Sequence, residues 1–245
     1  MIDLHCHVLP GVDDGPETWE EALALGARLA DEGVTLAVAT PHFFWARSPN
    51  PDPMVIRAHL ARLNQALQGR LRLLPGAEVR IVPEVRDWAG RLAQSSANGD
   101  RALLLAGTSS VLLELPPEII PPGVERLFFE LLTVGVRPVL AHPERNSAIR
   151  RRPERLRHFV EQGCYVQVDA PSLLGDHGQE ARRAALRWIE AELVHVVASD
   201  AHGLRARPPK LRRAWEDVVR AYGEAVARAL FIENPKAIVE GRDLA

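Results

Sequence analysis

The chain has 245 residues, 47% of them apolar and 25% charged, a balance that excludes disordered, collagen-like and coiled-coil classes. Its 30 basic and 32 acidic residues leave a formal charge of −2, which argues against a dedicated nucleic-acid binder. No apolar run approaches the roughly 18 residues of a membrane span, no basic and hydrophobic leader opens the sequence, and the two cysteines, Cys6 and Cys164, cannot form a disulfide framework, so a cytoplasmic protein without membrane insertion is expected.

Taken in chain order, residues 1–7 read as a strand and 16–32 as a helix, with Pro16 suited to a first helical position and Gly33 to the position past the end. Residues 34–40 are apolar and β-branched, the pattern of a strand buried on both faces, and 54–67 read as a helix. The alternation continues as strand 71–79, helix 84–94, strand 110–115, helix 124–134, strand 137–141, helix 154–162, strand 165–169, helix 180–192 and strand 193–199. The remainder is helical, with breaks at Gly223 and Pro235. There is no repeat, low-complexity tract or linker, and the irregular stretches 45–53 and 115–123 are short, so 1–245 reads as one domain.

Strand then helix, seven times over, implies parallel strands with crossover helices. An open sheet and a closed barrel both satisfy that pattern, and the polar residues decide between them. Five of the seven strands end at a potential metal ligand. A barrel gathers its strand ends around one mouth, whereas an open sheet spreads them along an edge. An α/β barrel of about seven βα units is therefore expected.

The ligand candidates begin with His5-Cys6-His7, where residues two apart on a strand share a face. Asp14 lies in the first loop, His42 follows the second strand, Glu78 ends the third and Glu114 the fourth. His142 ends the fifth strand, and Asp200 and His202 end the seventh. Each alone has a bland reading as a cap, a surface acid or a core histidine. Nine such groups at the same end of the strands do not.

The motifs Met1-Ile2-Asp3-Leu4-His5-Cys6-His7, Val12-Asp13-Asp14-Gly15, Thr40-Pro41-His42, Pro75-Gly76-Ala77-Glu78, Ala141-His142-Pro143-Glu144-Arg145 and Ala198-Ser199-Asp200-Ala201-His202 together resemble the PHP (polymerase and histidinol phosphatase) superfamily. Within it, the chain is most similar to the bacterial manganese-dependent protein-tyrosine phosphatases of capsule and exopolysaccharide loci, a resemblance that extends to Phe231-Ile232-Glu233-Asn234-Pro235. The resemblance implies a distorted (βα)7 TIM-like barrel with a three-metal cluster. It places His5, His7, Glu78 and Asp200 on a first metal, Glu78 as a bridge to a second that also takes Glu114 and His142, and Asp14, His42 and His202 on a third. Arg145 and Arg207 match the family's two phosphate-binding arginines. It further implies, as substrate, a phosphotyrosine protein or peptide, the tail of a partner bacterial tyrosine kinase that regulates polysaccharide export.

The donor chemistry agrees with this picture on its own terms. Nitrogen and oxygen donors without thiolate suit Mn²⁺, Fe²⁺ or Zn²⁺, with Mn²⁺ favoured by the resemblance. Three divalent ions against four carboxylates leave an electropositive site suited to a phosphate dianion. The expected reaction is in-line attack on phosphorus by a metal-bound hydroxide, with Arg145 and Arg207 neutralising the equatorial oxygens. A cysteine nucleophile is excluded, since neither Cys6 nor Cys164 has an arginine six positions on. Tyrosine leaves as a phenolate of pKa about 10, so no general acid is assigned.

Phe43, Phe44 and Trp45 after His42 are candidates for a wall around a tyrosyl ring. His59, His158, His177 and His195 are expected to pack or face solvent, and Asp13 to cap a turn. Asp169 ends the sixth strand and is a candidate supporting residue; Glu144 either orients Arg145 or His142 or faces solvent. The run Arg150-Arg151-Arg152 lies at the mouth end, where it would attract an acidic phosphopeptide at low salt. Three rival readings stand beside the phosphotyrosine one: a PHP phosphoesterase for a small phosphomonoester such as histidinol phosphate, a metal-dependent nuclease or amidohydrolase, and a non-catalytic regulator that keeps the metals as a fold staple.

Overall fold

The computed structural model describes residues 1–46, 49–94 and 100–244, so Arg47 and Ser48 of the irregular stretch 45–53 lie outside the described residues. The strands are β1 (Ile2–Cys6), β2 (Leu36–Ala39), β3 (His42–Phe43), β4 (Arg72–Pro75), β5 (Glu78–Arg80), β6 (Ser110–Glu114), β7 (Arg137–Ala141), β8 (Tyr165–Asp169) and β9 (Val196–Ala198). The helices are α1 (Trp19–Asp31), α2 (Pro53–Leu67), α3 (Glu84–Gln94), α4 (Val124–Thr133), α5 (Ser147–Arg151), α6 (Pro153–Glu161), α7 (Ala170–Leu174), α8 (Gln179–Glu190), α9 (Leu211–Tyr222), α10 (Glu224–Arg228) and α11 (Asn234–Val239).

All strand pairs are parallel, in the orders β1-β2-β4 and β3-β5-β6-β7-β8-β9. The two sheets are parts of one wall. β2 runs into β3 across Thr40-Pro41, and β4 into β5 across Gly76-Ala77, so each pair fills one barrel position with a kink in it. A bridge between Cys6 and Ala201 joins β1 to the end of β9, where the Asp200 N–H donates to the His5 carbonyl (2.8 Å). The result is a distorted parallel barrel of seven βα positions.

The expected strand 71–79 is thus two strands. A Cβ on Gly76 would stand 2.6 Å from Val38 Cγ1, so only glycine lets the kink pass this close to β2. The second expected strand ends early for a related reason: Pro41 offers no N–H to continue the ladder. The strand expected over 193–199 shortens to β9, because Glu192 turns the chain at φ 57° and the Leu193 N–H closes on the Trp188 carbonyl (2.9 Å). Helix α1 starts at Trp19 rather than near Pro16, set by a capping box in which Thr18 and Glu21 each bond the other's backbone N–H. Gly223 (φ 90°) does break the C-terminal helix, but Pro235 does not. The turn before it, 229–233, widens to π spacing, which accommodates a residue that cannot donate to the helix ladder.

Two apolar layers hold the wall. Outside it, Leu113, Val166 and Val197 pack under Leu127, Phe128, Phe159 and Trp188 from the helices. Inside it, Ile2, Leu4, Val38, Leu112, Val139 and Val196 fill the floor, capped by Leu105 and Ile238. Along each strand the inward face then changes chemistry with the period of two. Leu112 on the floor gives way to Glu114, Tyr165 to Gln167 and Asp169, and Val196 to Asp200. On β1 the register pairs Asp3 with Ala37 and Cys6 with Ala39, so Leu4 and His5 together face Val38. This β-bulge lets Leu4 join the floor while His5 and His7 reach the mouth.

Candidate metal centre

The nine groups singled out in the sequence, drawn from residues 5 to 202, converge at the mouth of the barrel. His5 Nε2, His7 Nε2, Glu78 Oε2 and Asp200 Oδ1 stand 3.2 to 3.6 Å apart in the pairs that touch. Ligands about 2.1 Å from a small tetrahedral cation would lie about 3.4 Å from one another. Glu78 reaches on through Oε1 to His142 Nε2 (2.8 Å), which lies 3.9 Å from Glu114 Oε1. Asp14 Oδ1 lies 3.4 Å from His42 Nε2 and 3.1 Å from His202 Nε2. Four overlapping groups able to hold a cation result: His5/His7/Asp200, His5/Glu78/His142, His42/Glu78/Glu114 and His7/Asp14/His42/His202.

The buried polar atoms test the fit of a metal. Asp200 Oδ1 and His42 Nδ1 are shielded from solvent and, although His5 Nε2 and Glu78 Oε2 lie 3.3 and 2.9 Å from them, neither makes a hydrogen bond of good geometry. A native interior rarely leaves such atoms unmatched, and both lie within the candidate ligand groups. Burial opposes a charged His5, but Glu78 and Asp200 outweigh it and raise the imidazole to about 10. His42 is likewise raised to about 10, with Asp14 and Glu78 overcoming burial. Burial and the neighbouring Glu78 push Glu114 up. So dense a carboxylate field attracts positive charge, and the packed imidazoles, with His7 and His202 stacked at 3.8 Å between centroids, disfavour protons as the carriers of all of it. Divalent cations suit the donor set better.

Backbone geometry supports the same site. His142 (φ 32°) and Asp200 (φ 49°) adopt left-handed conformations where their strands end, a local cost of about 1–3 kcal/mol each that clusters at functional positions. Gly15 lets the Asp13-Asp14 loop close over β1, since a Cβ there would meet the His7 carbonyl oxygen at 2.5 Å.

Arg145 and Arg207 stand at the rim. Arg145 Nη1 donates to Asp169 Oδ2 (3.1 Å) and Asp200 Oδ2 (2.6 Å). Arg207 Nη2 donates to Asp200 Oδ2, and its Nη1 lies 2.7 Å from His202 Nε2. Both guanidinium groups line a cavity of about 540 Å³ with Asp14, His42, Glu78, Glu114 and His142. Phe44, Trp45, Val82, Pro116 and Pro117 form its apolar side, and Trp45 stacks on His42 at 4.5 Å. Phe43 is not part of that wall; it is buried in the outer apolar layer. A larger surface groove of about 900 Å³, lined by Glu84, Arg86 and Glu130, contains none of the candidate ligands.

Several supporting residues were not legible as such. Asp13 does cap a turn, accepting from the Gly15 N–H, but its other oxygen lies 2.6 Å from His7 Nδ1 and accepts from the His42 N–H. Gln167 Oε1 contacts His5 Nδ1 (3.0 Å), and its Nε2 donates to Asp169 Oδ1 (2.9 Å). A continuous chain of polar contacts therefore runs from His5 to Arg145. The period of two along β8, which puts Gln167 and Asp169 on the face of Tyr165, was the available signal. Arg80, two residues after Glu78, pairs with Glu114 (2.8 Å) at the mouth. Asp3 accepts from the Ser199 N–H (2.9 Å) and Oγ–H (2.6 Å), tying β1 to β9; burial raises it to about 6.

Glu144 is fully buried, accepting from the Asp169 N–H (3.0 Å) and the Ser172 hydroxyl (2.7 Å), and burial raises it to about 7. Of the histidines expected to pack, His59 stacks edge-on against Trp19 and His158 is exposed. His195 accepts from the Val166 N–H before β9, where burial lowers it to about 4. His177 is different: it lies beside Ser172 and 3.7 Å from Asp169, close to the arginines.

Fold and site together define a class: parallel barrel proteins whose strand ends assemble imidazoles and carboxylates into a cluster fit for several divalent cations. Within that class, the chain belongs to the family described as "Capsular polysaccharide synthesis, CpsB/CapC", whose profile matches residues 1–240. It is 34% identical to the tyrosine-protein phosphatase YwqE of Bacillus subtilis, over all of this chain and 93% of that protein. It is also 34% identical to the putative tyrosine-protein phosphatase CapC of Staphylococcus aureus, over 98% of this chain and 91% of that one. A solved structure from work on YwqE and on CpsB of Streptococcus pneumoniae, described as unique metal-dependent tyrosine phosphatases, superposes with a TM-score of 0.90 at 34% identity, covering 100% of this chain and 96% of that one. A lactonase from Listeria monocytogenes, 14% identical with a TM-score of 0.60, shares the fold. No helix among the described residues is long and apolar enough to cross a membrane.

Proposed function

We propose that the chain is a metal-dependent protein-tyrosine phosphatase. The observation that carries this reading is the placement of Arg145 and Arg207 on the rim of a cavity whose floor holds the candidate ligands of a divalent metal cluster. The names of the similar proteins from Bacillus and Staphylococcus support it, as does the family's connection with capsular polysaccharide.

In this reading His5, His7, Glu78 and Asp200 hold one ion, Glu78, Glu114 and His142 a second, and Asp14, His42 and His202 a third. The mixed nitrogen and oxygen donor set without thiolate suits Mn²⁺, Fe²⁺ or Zn²⁺, and Mn²⁺ is the ion proposed, on the family resemblance. Bound divalent ions supply charge neutralisation and an acidified water, whose pKa falls from about 15.7 toward ~7.

The chain's own residues do the rest. Arg145 and Arg207 present planar donor forks to the phosphoryl oxygens, a geometry lysine lacks. Asp169 and Asp200 aim those forks. Phe44, Trp45, Pro116 and Pro117, on the apolar side of the cavity, offer a surface for the tyrosyl ring. The two thiols take no part: both are buried, and burial raises Cys164 well above an ordinary thiol. The proposed partner is a phosphotyrosine segment of a bacterial tyrosine kinase that controls polysaccharide export, with the protein acting in the cytoplasm.

The test is a metal analysis joined to a panel of phosphoesters. Chelation should abolish hydrolysis of phosphotyrosyl peptide, Mn²⁺ should restore it, and thiol alkylation should leave it intact. Faster turnover of histidinol phosphate or another small alkyl phosphate than of the peptide would overturn the assignment.

A further inference from the structure

Arg145 and Arg207 line two cavities. Besides the one that holds the candidate ligands, a second of about 400 Å³ lies against them, walled by Pro171, Asp176, His177, Arg205 and Lys210. Nothing in the proposed hydrolysis uses it. Four cations face this second space, Arg145, Arg205, Arg207 and Lys210, against two carboxylates, Asp176 and Asp200. Burial holds His177 below its ordinary value, so it adds no charge near neutral pH. Asp169, behind the wall and bonded to Arg145, is a third carboxylate, and the balance is positive by one.

The cations differ in what occupies them. Arg145 bonds Asp169 and Asp200, Arg207 bonds Asp200, and Lys210 pairs with Asp176. Arg205 is exposed and makes no hydrogen bond or ion pair among the described residues. Its loop is nevertheless fixed at both ends, since the N–H groups of His202 and Gly203 both donate to the Arg207 carbonyl (3.0 and 3.4 Å). An unpaired guanidinium is thus displayed on a closed turn between a candidate ligand and a phosphate arginine. A peptide whose phosphoryl group sits between Arg145 and Arg207 can lay a neighbouring residue over this ground.

We propose that this second cavity is an anion subsite that selects phosphotyrosine segments carrying a further negative side chain, a carboxylate or a second phosphoryl group, close to the scissile phosphotyrosine. It rests on the phosphatase reading and adds to it the chemical class of sequence preferred. Arg205 is its specificity-determining residue, with Lys210 in support once the anion competes with Asp176. Charge-assisted bonds to a guanidinium favour such a ligand, and a rim charge acts mainly on encounter and binding.

The experiment compares kcat/KM, with the metal-loaded protein, on a peptide carrying one phosphotyrosine and glutamine at the positions on either side. Glutamate is placed at each of those positions in turn in a second series, and a second phosphotyrosine in a third. Expected is a preference of about tenfold for the best anionic peptide, expressed in KM and shrinking as salt shortens the screening length. Arg205→Gln should bring the preference to within about twofold, Arg205→Glu should invert it, and Lys210→Gln should reduce it in part. A preference confined to the third series makes the anion phosphoryl; one shared with the second makes it any acidic side chain. Equal rates on all peptides by the unmodified protein, or a preference that survives Arg205→Glu, overturns the subsite. Hydrolysis of other phosphomonoesters but of no phosphotyrosyl peptide overturns instead the reading on which it rests.

Discussion

Asp13 touches no substrate in any reading of the site, yet it decides how His7 is presented. Its carboxylate takes the Nδ1 side of the imidazole and leaves Nε2 facing Glu78 and Asp200. The same carboxylate holds the backbone N–H of His42, so one residue fixes two candidate ligands, one just past β1 and the other on β3. Burial opposes its charge, but His7 and the backbone donors win, and Asp13 is held below its ordinary value. Partners of this kind are worth about 10–100-fold in metal affinity. Asp13→Ala should therefore weaken metal binding by that factor in a metal titration, with activity recovering when metal is raised, while Asp13→Asn retains more. Unchanged affinity in the alanine variant would mean that packing alone orients His7. The ligand candidates were legible because imidazoles and carboxylates at strand ends have few structural reasons to be there. Their supporters were not: Asp13 looks like any turn aspartate, and Gln167 carries no charge to draw the eye.

At the scale of elements, β7 and β8 have the limits that residue patterns suggest, whereas β2 and β4 do not. The difference is tertiary. An apolar run such as 71–79 shows that a segment is buried, but not that the wall must bend inside it. That bend depends on the approach of Gly76 to Val38, which lies on a different βα unit. The bulge on β1 is hidden for the same reason, since it exists only relative to β2. Gly76 links this geometry to the site, because Glu78 begins β5 two residues later and touches His5, His7, His42 and His142. In Gly76→Ala the new methyl meets the branched side chain of Val38, which the interior floor holds in place. Overpacking of this sort costs about 1–3 kcal/mol. Denaturant unfolding at fixed metal should show that loss, together with weaker metal binding as Glu78 shifts. A fully stable variant with normal metal affinity would mean that the kink tolerates a side chain and that another contact shapes it.

On the scale of the whole molecule, the wall is joined through few backbone bonds in two places: where β1 meets β9 and where β2 and β4 hand over to β3 and β5. The candidate ligands lie across those places. His5 belongs to β1 and His7 follows it, Asp200 follows β9, and His42 and Glu78 open β3 and β5. Cations shared among them would fasten the first strand to the last and one sheet to the other, so metal binding would reinforce the closure of the barrel. The unfolded chain cannot gather donors spread over about two hundred positions, so the binding energy appears as stability. At a free metal concentration of 100 times Kd, one site contributes about 2.7 kcal/mol. For a chain of this size that raises Tm by about 5–10 °C. Calorimetry with and without a chelator should show a shift of that order, and Asp200→Ala, which removes a donor at the β1–β9 join, should lose most of it. A Tm indifferent to metal in the unmodified protein would mean that the barrel closes by packing alone and that the cluster plays no part in holding it together.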